Sequence, residues 1–373
     1  MIKILHTGDI HLDSAFSGLD PRHAEVRKNE LRAAFTSMMT YARMNGADMI
    51  LIAGDVFDGN FVSRETLAIL VREFEKFARP IFIAPGNHDH VTAESIWKKN
   101  VFPKNVHVFT SPEIESVDVP ELGVTVYGYA FCEMNVTESP IRGKKVRAGD
   151  GINLLVGHAD LIDEGGHSND CPITRSELRE FGADYAALAH IHNNPPSAPD
   201  GRWCYSGCLE PRSFRETGSK GACMVEIEKK NGEAEITVKR IRFAKRRYEV
   251  GELALSGEST TEEIRERIAA YIHENHHGED VLLSLTLTGE VSPSLIVDTE
   301  SLEESFPSIF MLKLTDKTRP SIPLSQLEND ITIAGEVYRQ LKEKLNSPNT
   351  REREVANRAL RYALAALSGD RSF

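Results

Sequence analysis

Five short apolar runs in this sequence each end at residues that can bind a metal ion. Each run has the length of a strand buried on both faces. Early in the chain the runs alternate with segments of helical periodicity, such as Asp20 to Gly46, which predicts a mainly parallel sheet with helices on its faces. The donors that follow the runs are Asp9 and His11, Asp55, Asn87 and His88, His158, and His190 and His192.

These donors are expected to lie close together, because the carboxyl ends of parallel strands meet at one edge of a sheet. Taken singly, each has an ordinary structural explanation. An aspartate after a glycine is common in turns, and a lone buried histidine is usually a core residue. Five such strand ends in one chain favour a shared site over five coincidences.

The donor chemistry indicates two ions rather than one. Seven ligands of imidazole, carboxylate and amide type are too many for one four-coordinate zinc. They suit two divalent ions about 3.5–4 Å apart that share a carboxylate, activate a water and stabilise an in-line displacement at phosphorus. The absence of thiolate from the set favours manganese or iron, with zinc also compatible. The ligands counted in this way are Asp9, His11, Asp55, Asn87, His158, His190 and His192.

The order of the motifs resembles the signature of the calcineurin-like metallophosphoesterase superfamily over residues 1–243. The resemblance implies an α/β fold in which two facing mixed β-sheets are flanked by helices. One position departs from the pattern, since Ala189 stands where the family usually has glycine, and only a slight backbone adjustment is expected. The matching motifs are Asp9-x-His11, Gly54-Asp55-x-x-Asp58, Gly86-Asn87-His88-Asp89, Gly157-His158 and His190-x-His192.

The same resemblance implies a role for each site residue. One ion would be held by Asp9, His11 and His192, and the other by Asn87, His158 and His190. Asp55 would bridge the two ions. His88 would protonate the leaving oxygen from outside the ligand shell, with Asp58 orienting its imidazole. Asp89 and His90, although chemically similar, receive no role.

Within the superfamily, the sequence is similar to bacterial DNA-repair exonuclease subunits of the SbcD and YhaO type. The similarity rests on Gly8 to Asp13, on Ser206-Gly207-Cys208-Leu209-Glu210, and on Lys220-Gly221. It implies manganese-dependent cleavage of DNA phosphodiesters in DNA repair, a capping domain, and a coiled-coil ATPase partner of the SbcC/YhaN type. A homodimer is a further expectation from this family.

Three domains are predicted: a catalytic domain at 1–243, an acidic capping domain at 244–322 and a helical segment at 323–373. Between residues 248 and 304 there are 14 acidic residues against only Arg265 and Arg267, while the rest of the chain carries 42 acids and 42 bases. The net charge of −12 therefore belongs to one segment. The last segment predicts two helices, Ser325 to Leu345 and Thr350 to Leu367, which either dock a partner or pack on their own chain.

Two basic clusters are compatible with DNA, although a solvated surface explains each equally well. The five cysteines form no CxxC pair, and neither a signal peptide nor a membrane-length apolar run is seen, so a cytoplasmic protein is expected. The clusters are Arg142, Lys144, Lys145 and Arg147, and Lys239, Arg240, Arg242, Lys245, Arg246 and Arg247.

The sequence favours a two-metal phosphodiesterase that works as a DNA exonuclease or endonuclease subunit. A phosphatase or cyclic-nucleotide phosphodiesterase for small substrates is the first alternative. The second is a non-catalytic scaffold, against which the complete ligand set argues.

Overall fold

The buried apolar runs form strands in the first of two units, Met1–Arg247 and Tyr248–Phe373. The computed structural model describes residues 1–193, 195–293, 295–321 and 324–367. In chain order the elements of the first unit are β1 (Ile2–Thr7), α1 (Pro21–Met44), β2 (Met49–Ile52), α2 (Arg64–Phe77), β3 (Ile81–Ile83), β4 (Val106–Val108), β5 (Glu115–Val119), β6 (Val124–Gly128), β7 (Ile152–His158), β8 (Asp160–Ile162), β9 (Pro172–Thr174), α3 (Arg175–Phe181), β10 (Tyr185–Ala189), β11 (Trp203–Tyr205), β12 (Gly221–Lys230) and β13 (Glu233–Arg242), with short 3₁₀ helices at Ile96–Lys98 and Pro120–Leu122.

Two mixed sheets face each other in this unit. The first has the strand order β13-β12-β1-β2-β3-β4, with β1 to β4 parallel and β12 and β13 antiparallel to their neighbours. The second has the order β11-β10-β7-β6-β5, in which only β5 is antiparallel to its neighbour. Side chains from both sheets, such as Ile4, Leu51 and Val156, share one buried core between them. The facing mixed sheets that the family resemblance implies are confirmed.

Helices cover the outer faces of the two sheets. Phe35 and Met38 of α1 and Phe74 of α2 pack on the six-stranded sheet, and Phe181 of α3 packs on the other. Side chains cap the N-termini of all three helices: Asp20 accepts from Arg22 N and His23 N, Ser63 from Thr66 N, and Thr174 forms a capping box with Glu177. These contacts fix where the helices begin and hence the turns that precede them.

The strand ends that carry the metal donors belong to both sheets. The ends of β1, β2 and β3 lie in the six-stranded sheet, and those of β7 and β10 in the five-stranded one. The expectation of a single parallel-sheet edge was therefore wrong. Apolar periodicity identifies strands, but it carries no information about which strands pair.

The second unit contains its own sheet and helices, and its core is formed by side chains such as Ile264, Ile268 and Leu285. The strand order is β14-β15-β16, with β17 also pairing with β15. Its elements are β14 (Arg247–Glu258), α4 (Thr261–Glu274), β15 (Val281–Val291), α5 (Thr299–Glu304), β16 (Met311–Asp316), β17 (Arg319–Pro320), α6 (Leu324–Asn329), α7 (Ile333–Leu345) and α8 (Thr350–Leu367).

The C-terminal helices pack on their own chain. Leu327, Tyr338, Leu360 and Leu364 form a shared apolar cluster, and Arg361 of α8 pairs with Asp316 at 2.5 Å. The single helix predicted for Ser325 to Leu345 is wrong: the chain turns between α6 and α7, and in that turn the Asp330 carboxylate accepts from Thr332 N at 2.7 Å. The domain boundaries predicted at 243 and 322 stay predictions.

Across the described ranges, none of the helices is both long enough and apolar enough to cross a membrane.

Candidate metal centre

The turns after β1 and β2 hold the first donors in unusual backbone conformations. Asp9, His11 and Asp55 have φ angles of 46°, 50° and 50°, a left-handed region that few non-glycine residues adopt. Backbone hydrogen bonds join the two turns, from Asp9 N to Gly54 O at 3.0 Å and from His11 N to Asp55 O at 2.9 Å. The strained turns thus support each other and direct both carboxylates into one buried space.

Asp9, His11 and His192 form one cluster of donors. Their donor atoms lie within 4.8 Å of one another. His11 Nε2 is 3.3 Å from His192 Nε2, and His192 Nε2 is 3.5 Å from Asp9 Oδ1. The second ring nitrogen of each histidine is held by a carboxylate, Asp58 for His11 at 3.1 Å and Glu216 for His192 at 2.8 Å. The Nε2 atoms of His11 and His192 are therefore both directed toward the space beside Asp9 where an ion would bind.

Asp55 lies between this cluster and His158. Its Oδ2 atom is 3.6 Å from His11 Nε2 and also 3.6 Å from His158 Nε2. The other nitrogen of His158, Nδ1, is 3.1 Å from the carbonyl oxygen of Ala53. A Cβ on Gly86 would be 2.3 Å from Asp55 Oδ1, so the close approach of this loop requires glycine. Asp55 has the position that a bridging carboxylate requires.

His190 lies beside His158, and Asp170 lies between His190 and Asn87. The rings of His158 and His190 are 5.2 Å apart, and Asn87 Nδ2 is 3.5 Å from an oxygen of Asp170. The other Asp170 oxygen is 3.9 Å from His190 Nε2. Contacts thus connect six of the predicted ligands to one another, and Asn87 is connected to them through Asp170, which the sequence analysis did not select.

The donor atoms fit divalent cations. Asn87 Oδ1 and His158 Nε2 are buried and have no hydrogen-bond partner among the described residues, an arrangement that costs free energy unless another group binds them. Burial lowers the pKa of His158 to about 3 and that of His11 to about 4, which keeps both imidazoles neutral. Neutral imidazole is the form that binds a metal.

The buried carboxylates also favour bound cations. Burial, together with the charges of Asp89 and Asp9, raises the pKa of Asp55 well above its ordinary value. Two divalent ions would offset this repulsion and allow Asp55 to remain ionised at neutral pH. The donor set is rich in nitrogen and oxygen, as expected for manganese, iron or zinc.

His88 lies at the open side of the cluster. Its side chain is 45% exposed, and its Nδ1 atom is 3.4 Å from Asp58 Oδ1. Its backbone nitrogen donates to Asp55 Oδ1 at 3.0 Å, which ties the loop to the buried centre. Asp58 was predicted to orient His88, yet the same oxygen is closer to His11 Nδ1, at 3.1 Å. Asp58 therefore contacts both histidines.

Asp89, which had no predicted role, holds two site loops together. Its carboxylate is buried and accepts from Val56 N at 2.8 Å, Phe57 N at 3.2 Å and Gly86 N at 2.8 Å. These bonds connect the Asp55 turn to the Asn87 turn. His90 bonds the backbone oxygen of Asn87 at 3.1 Å. Both residues support ligands and do not face the centre.

Arg212 and Glu216 complete the surroundings of the cluster, and the sequence analysis missed both. Glu216 binds His192, and Arg212 donates to Asp58 at 2.7 Å. The sequence could have pointed to them, because both lie between two motifs that resemble the family, Ser206 to Glu210 and Lys220-Gly221.

Comparisons with known proteins match the part of the chain that contains the predicted ligands. The family model described as calcineurin-like phosphoesterase matches residues 2–194. The uncharacterized metallophosphoesterase YhaO of Bacillus subtilis (strain 168) is 30% identical over 237 residues, which cover 61% of this chain and 57% of that protein. A subunit of the nuclease SbcCD from Staphylococcus epidermidis is 26% identical over 259 residues, covering 61% and 66% of the two chains. The DNA double-strand break repair protein Mre11 of Aeropyrum pernix is 26% identical over 245 residues, covering 60% and 57%. The matched region spans less than two thirds of each relative.

Proposed function

The chain belongs to the calcineurin-like phosphoesterase family, and from that premise we propose that it is a two-metal phosphodiesterase that cleaves DNA. The observation that carries the proposal is the position of Asp55. Its Oδ2 atom is 3.6 Å from a histidine nitrogen on each side, between two groups of donors. A carboxylate between two donor clusters is what a pair of bridged ions requires.

We assign the ligands as the resemblance implies. Asp9, His11 and His192 would hold one ion, Asn87, His158 and His190 the other, and Asp55 both. When bound, the ions would activate a water and neutralise charge on the phosphate and its leaving oxygen. Manganese is the metal that we propose for both positions, as the family resemblance implies; the nitrogen and oxygen donors suit it, and they also suit iron and zinc.

His88 would act as the general acid. It is half exposed beside the centre, where its imidazole can reach the oxygen that leaves phosphorus. Asp58 Oδ1 lies 3.4 Å from its Nδ1 and would stabilise the protonated ring, whose Nε2 proton would pass to the leaving oxygen. The hydrogen bond from His88 N to Asp55 Oδ1 holds the backbone of His88 at a fixed position beside the bridging ligand.

DNA is proposed as the substrate because two similar proteins carry names that describe a nuclease and a DNA-break repair protein. The basic clusters add little to this argument. Arg142 pairs with Glu177 at 2.7 Å and Arg147 with Asp118 at 3.2 Å. In the second basic cluster, Arg246 pairs with Glu30 at 2.6 Å. Much of their charge is thus offset within the protein.

We further propose a role in DNA repair with an ATPase partner. One relative is named as part of a nuclease with more than one subunit, which supports an assembly of several chains. The C-terminal segment exposes several apolar side chains, on its helices and in the turn between α6 and α7, that a partner could cover. The most exposed of these are Ile331 at 98%, Ile333 at 67%, Val355 at 63% and Tyr362 at 47%.

The experiment that tests the function compares substrates at one manganese concentration. Linear duplex DNA, single-stranded DNA, a panel of nucleotides and bis-p-nitrophenyl phosphate are each incubated with the protein. We expect manganese-dependent cleavage of DNA and of the small diester. Hydrolysis of nucleotides alone, with intact DNA, would instead support the small-substrate alternative.

The His88→Ala variant separates an enzyme from a scaffold. Loss of a general acid lowers turnover by about 10²- to 10⁴-fold, while manganese binding should stay unchanged because His88 is outside the ligand set. His167→Ala, in an exposed loop, is the matched control and should behave as wild type. Equal turnover in the wild type and His88→Ala would show that this site does not run the reaction.

A further inference from the structure

The segment from Glu210 to Lys220, here called the 210–220 segment, lies against the metal centre without supplying a predicted ligand. We propose that Arg212 in this segment is a positioning residue that aligns two histidine ligands of one ion through the carboxylates of Asp58 and Glu216. The inference rests on the two-metal site of the proposed function but not on its substrate.

The guanidinium of Arg212 lies between the two carboxylates. Nη1 donates to Asp58 Oδ1 at 2.7 Å, and Nη2 donates to Glu216 Oε1 at 3.3 Å. The same Asp58 oxygen is 3.1 Å from His11 Nδ1, and the same Glu216 oxygen is 2.8 Å from His192 Nδ1. One arginine therefore connects both histidines through their supporting carboxylates.

This arrangement has a direct consequence for ion binding. A ligating histidine donates its second ring N–H to a carboxylate, which fixes the tautomer and the ring orientation. With both Nδ1 atoms held in this way, both Nε2 atoms face the centre, 3.3 Å from each other. The guanidinium offsets the charge of the two carboxylates, which would otherwise repel each other in this largely buried setting.

The 210–220 segment is itself firmly held, so Arg212 has a defined position. On one side, Glu210 is buried and accepts from the fully buried Arg27 at 2.6 Å and from Lys245 N at 2.5 Å. On the other side, Lys220 Nζ donates to the backbone oxygen of His192 at 2.7 Å. Glu216 Oε2 also accepts from Arg212 N at 2.6 Å, which closes the loop on itself.

Arginine is specific for this task. Its planar fork can bond two carboxylates at once, whereas a lysine ammonium is a point charge on a flexible stem. Arg212→Lys should therefore keep the charge but lose the alignment, and Arg212→Met should lose both. Arg215→Met is the matched control, because Arg215 lies in the same segment and is exposed.

The test titrates manganese into metal-free protein by calorimetry, without substrate. For Arg212→Met we expect one of two ions to bind about 10- to 100-fold more weakly, the usual cost of removing a residue that supports a metal ligand. The other ion should bind as in the wild type, Arg212→Lys should be intermediate, and Arg215→Met should match the wild type. Circular dichroism confirms that each variant is folded.

A chemical rescue and a kinetic measurement sharpen the test. Methylguanidinium should restore ion affinity to Arg212→Ala, while methylammonium should not. At saturating manganese, Arg212→Met should cleave bis-p-nitrophenyl phosphate with the KM of the wild type, because the residue acts on the ions and not on the substrate. A raised KM under those conditions would overturn the inference.

The failure of this inference is distinguishable from the failure of the proposed function. A folded Arg212→Met protein that binds both ions as tightly as the wild type would overturn the role of Arg212 alone. A wild-type protein that binds fewer than two ions would contradict the two-metal proposal itself.

Discussion

Gly8 lies directly against Ala189, the residue that stands where glycine is usual in the family. A Cβ on Gly8 would be 2.4 Å from the Cβ of Ala189, closer than real side chains approach. The two residues immediately precede Asp9 and His190, whose backbone nitrogen donates to the Asp9 carboxylate at 3.0 Å. The small size of Gly8 thus accommodates the departure at Ala189.

A reciprocal exchange tests this pairing. Gly8→Ala should destabilise the protein by about 1–3 kcal/mol, the usual cost of overpacking, and should weaken manganese binding by displacing Asp9. Adding Ala189→Gly in the same protein removes the clash and should recover most of both losses. Urea unfolding and manganese calorimetry on the two single variants and the double variant form the cycle. A double variant no better than Gly8→Ala would show that the two residues are not coupled.

At the residue scale, the sequence identifies which residues can bind a metal, but it does not show which side chains face the centre or which distant residues contact them. Asn87 and His88 face the centre, whereas the adjacent Asp89 faces the backbone of Val56 and Phe57, and nothing in the sequence separates these neighbours. The contact between Arg212 and Asp58 joins residues 154 positions apart. Such a contact depends on how a loop returns to the site, which motif spacing does not record.

At the element scale, Glu30 on α1 joins three cationic side chains. It accepts from Arg27 Nη1 and Arg246 Nη2 at 2.6 Å each and lies 3.3 Å from Lys245 Nζ. Burial opposes charge on Glu30, but the Arg246 and Arg27 guanidiniums outweigh it and lower its pKa below the ordinary value of 4.5. This cluster attaches α1 to the end of the first unit.

Glu30→Gln should lower the free energy of unfolding by about 1.5–3 kcal/mol at neutral pH, because it removes the charge that strengthens its hydrogen bonds with the Arg27 and Arg246 guanidiniums. Since the pKa of Glu30 is lower in the folded protein, its stabilisation is complete above pH 4.5 and is lost as the pH falls through the folded value. The difference between variant and wild type should therefore shrink in acid.

Urea unfolding of metal-free protein at neutral and acidic pH measures that difference. Glu25→Gln, exposed on the same helix, is the control and should have little effect at either pH. A difference between wild type and Glu30→Gln that stays constant with pH would contradict the role of the ion pairs.

Element prediction worked where apolar runs were continuous and failed where a polar side chain interrupted a pattern. β10, Tyr185–Ala189, is one of the five apolar runs, and its bounds are clear because polar residues of two turns flank it. The helix predicted from Ser325 to Leu345 divides at Asp330 and Thr332, where a local side-chain bond competes with the helix. Strand pairing could not be predicted from the sequence, because the strands of both sheets are similar apolar runs.

At the scale of the whole molecule, the ion ligands all belong to the first unit. Ligand binding stabilises only the unit that contains the site, by an amount that grows with ligand concentration. Calorimetric unfolding should therefore show two transitions, of which one moves to higher temperature as manganese is added and the other does not. A single transition that shifts as a whole would contradict the independence of the two units, and with it the predicted catalytic and capping domains.

The central claim is a pair of ions bridged by Asp55, and anomalous diffraction at the manganese absorption edge tests it most directly. Crystals of the protein soaked in manganese should show two peaks about 3.5–4 Å apart. One peak should contact Asp9, His11 and His192, and the other Asn87, His158 and His190, with Asp55 between them. A single peak at this position, or two peaks that do not share Asp55, would contradict the account.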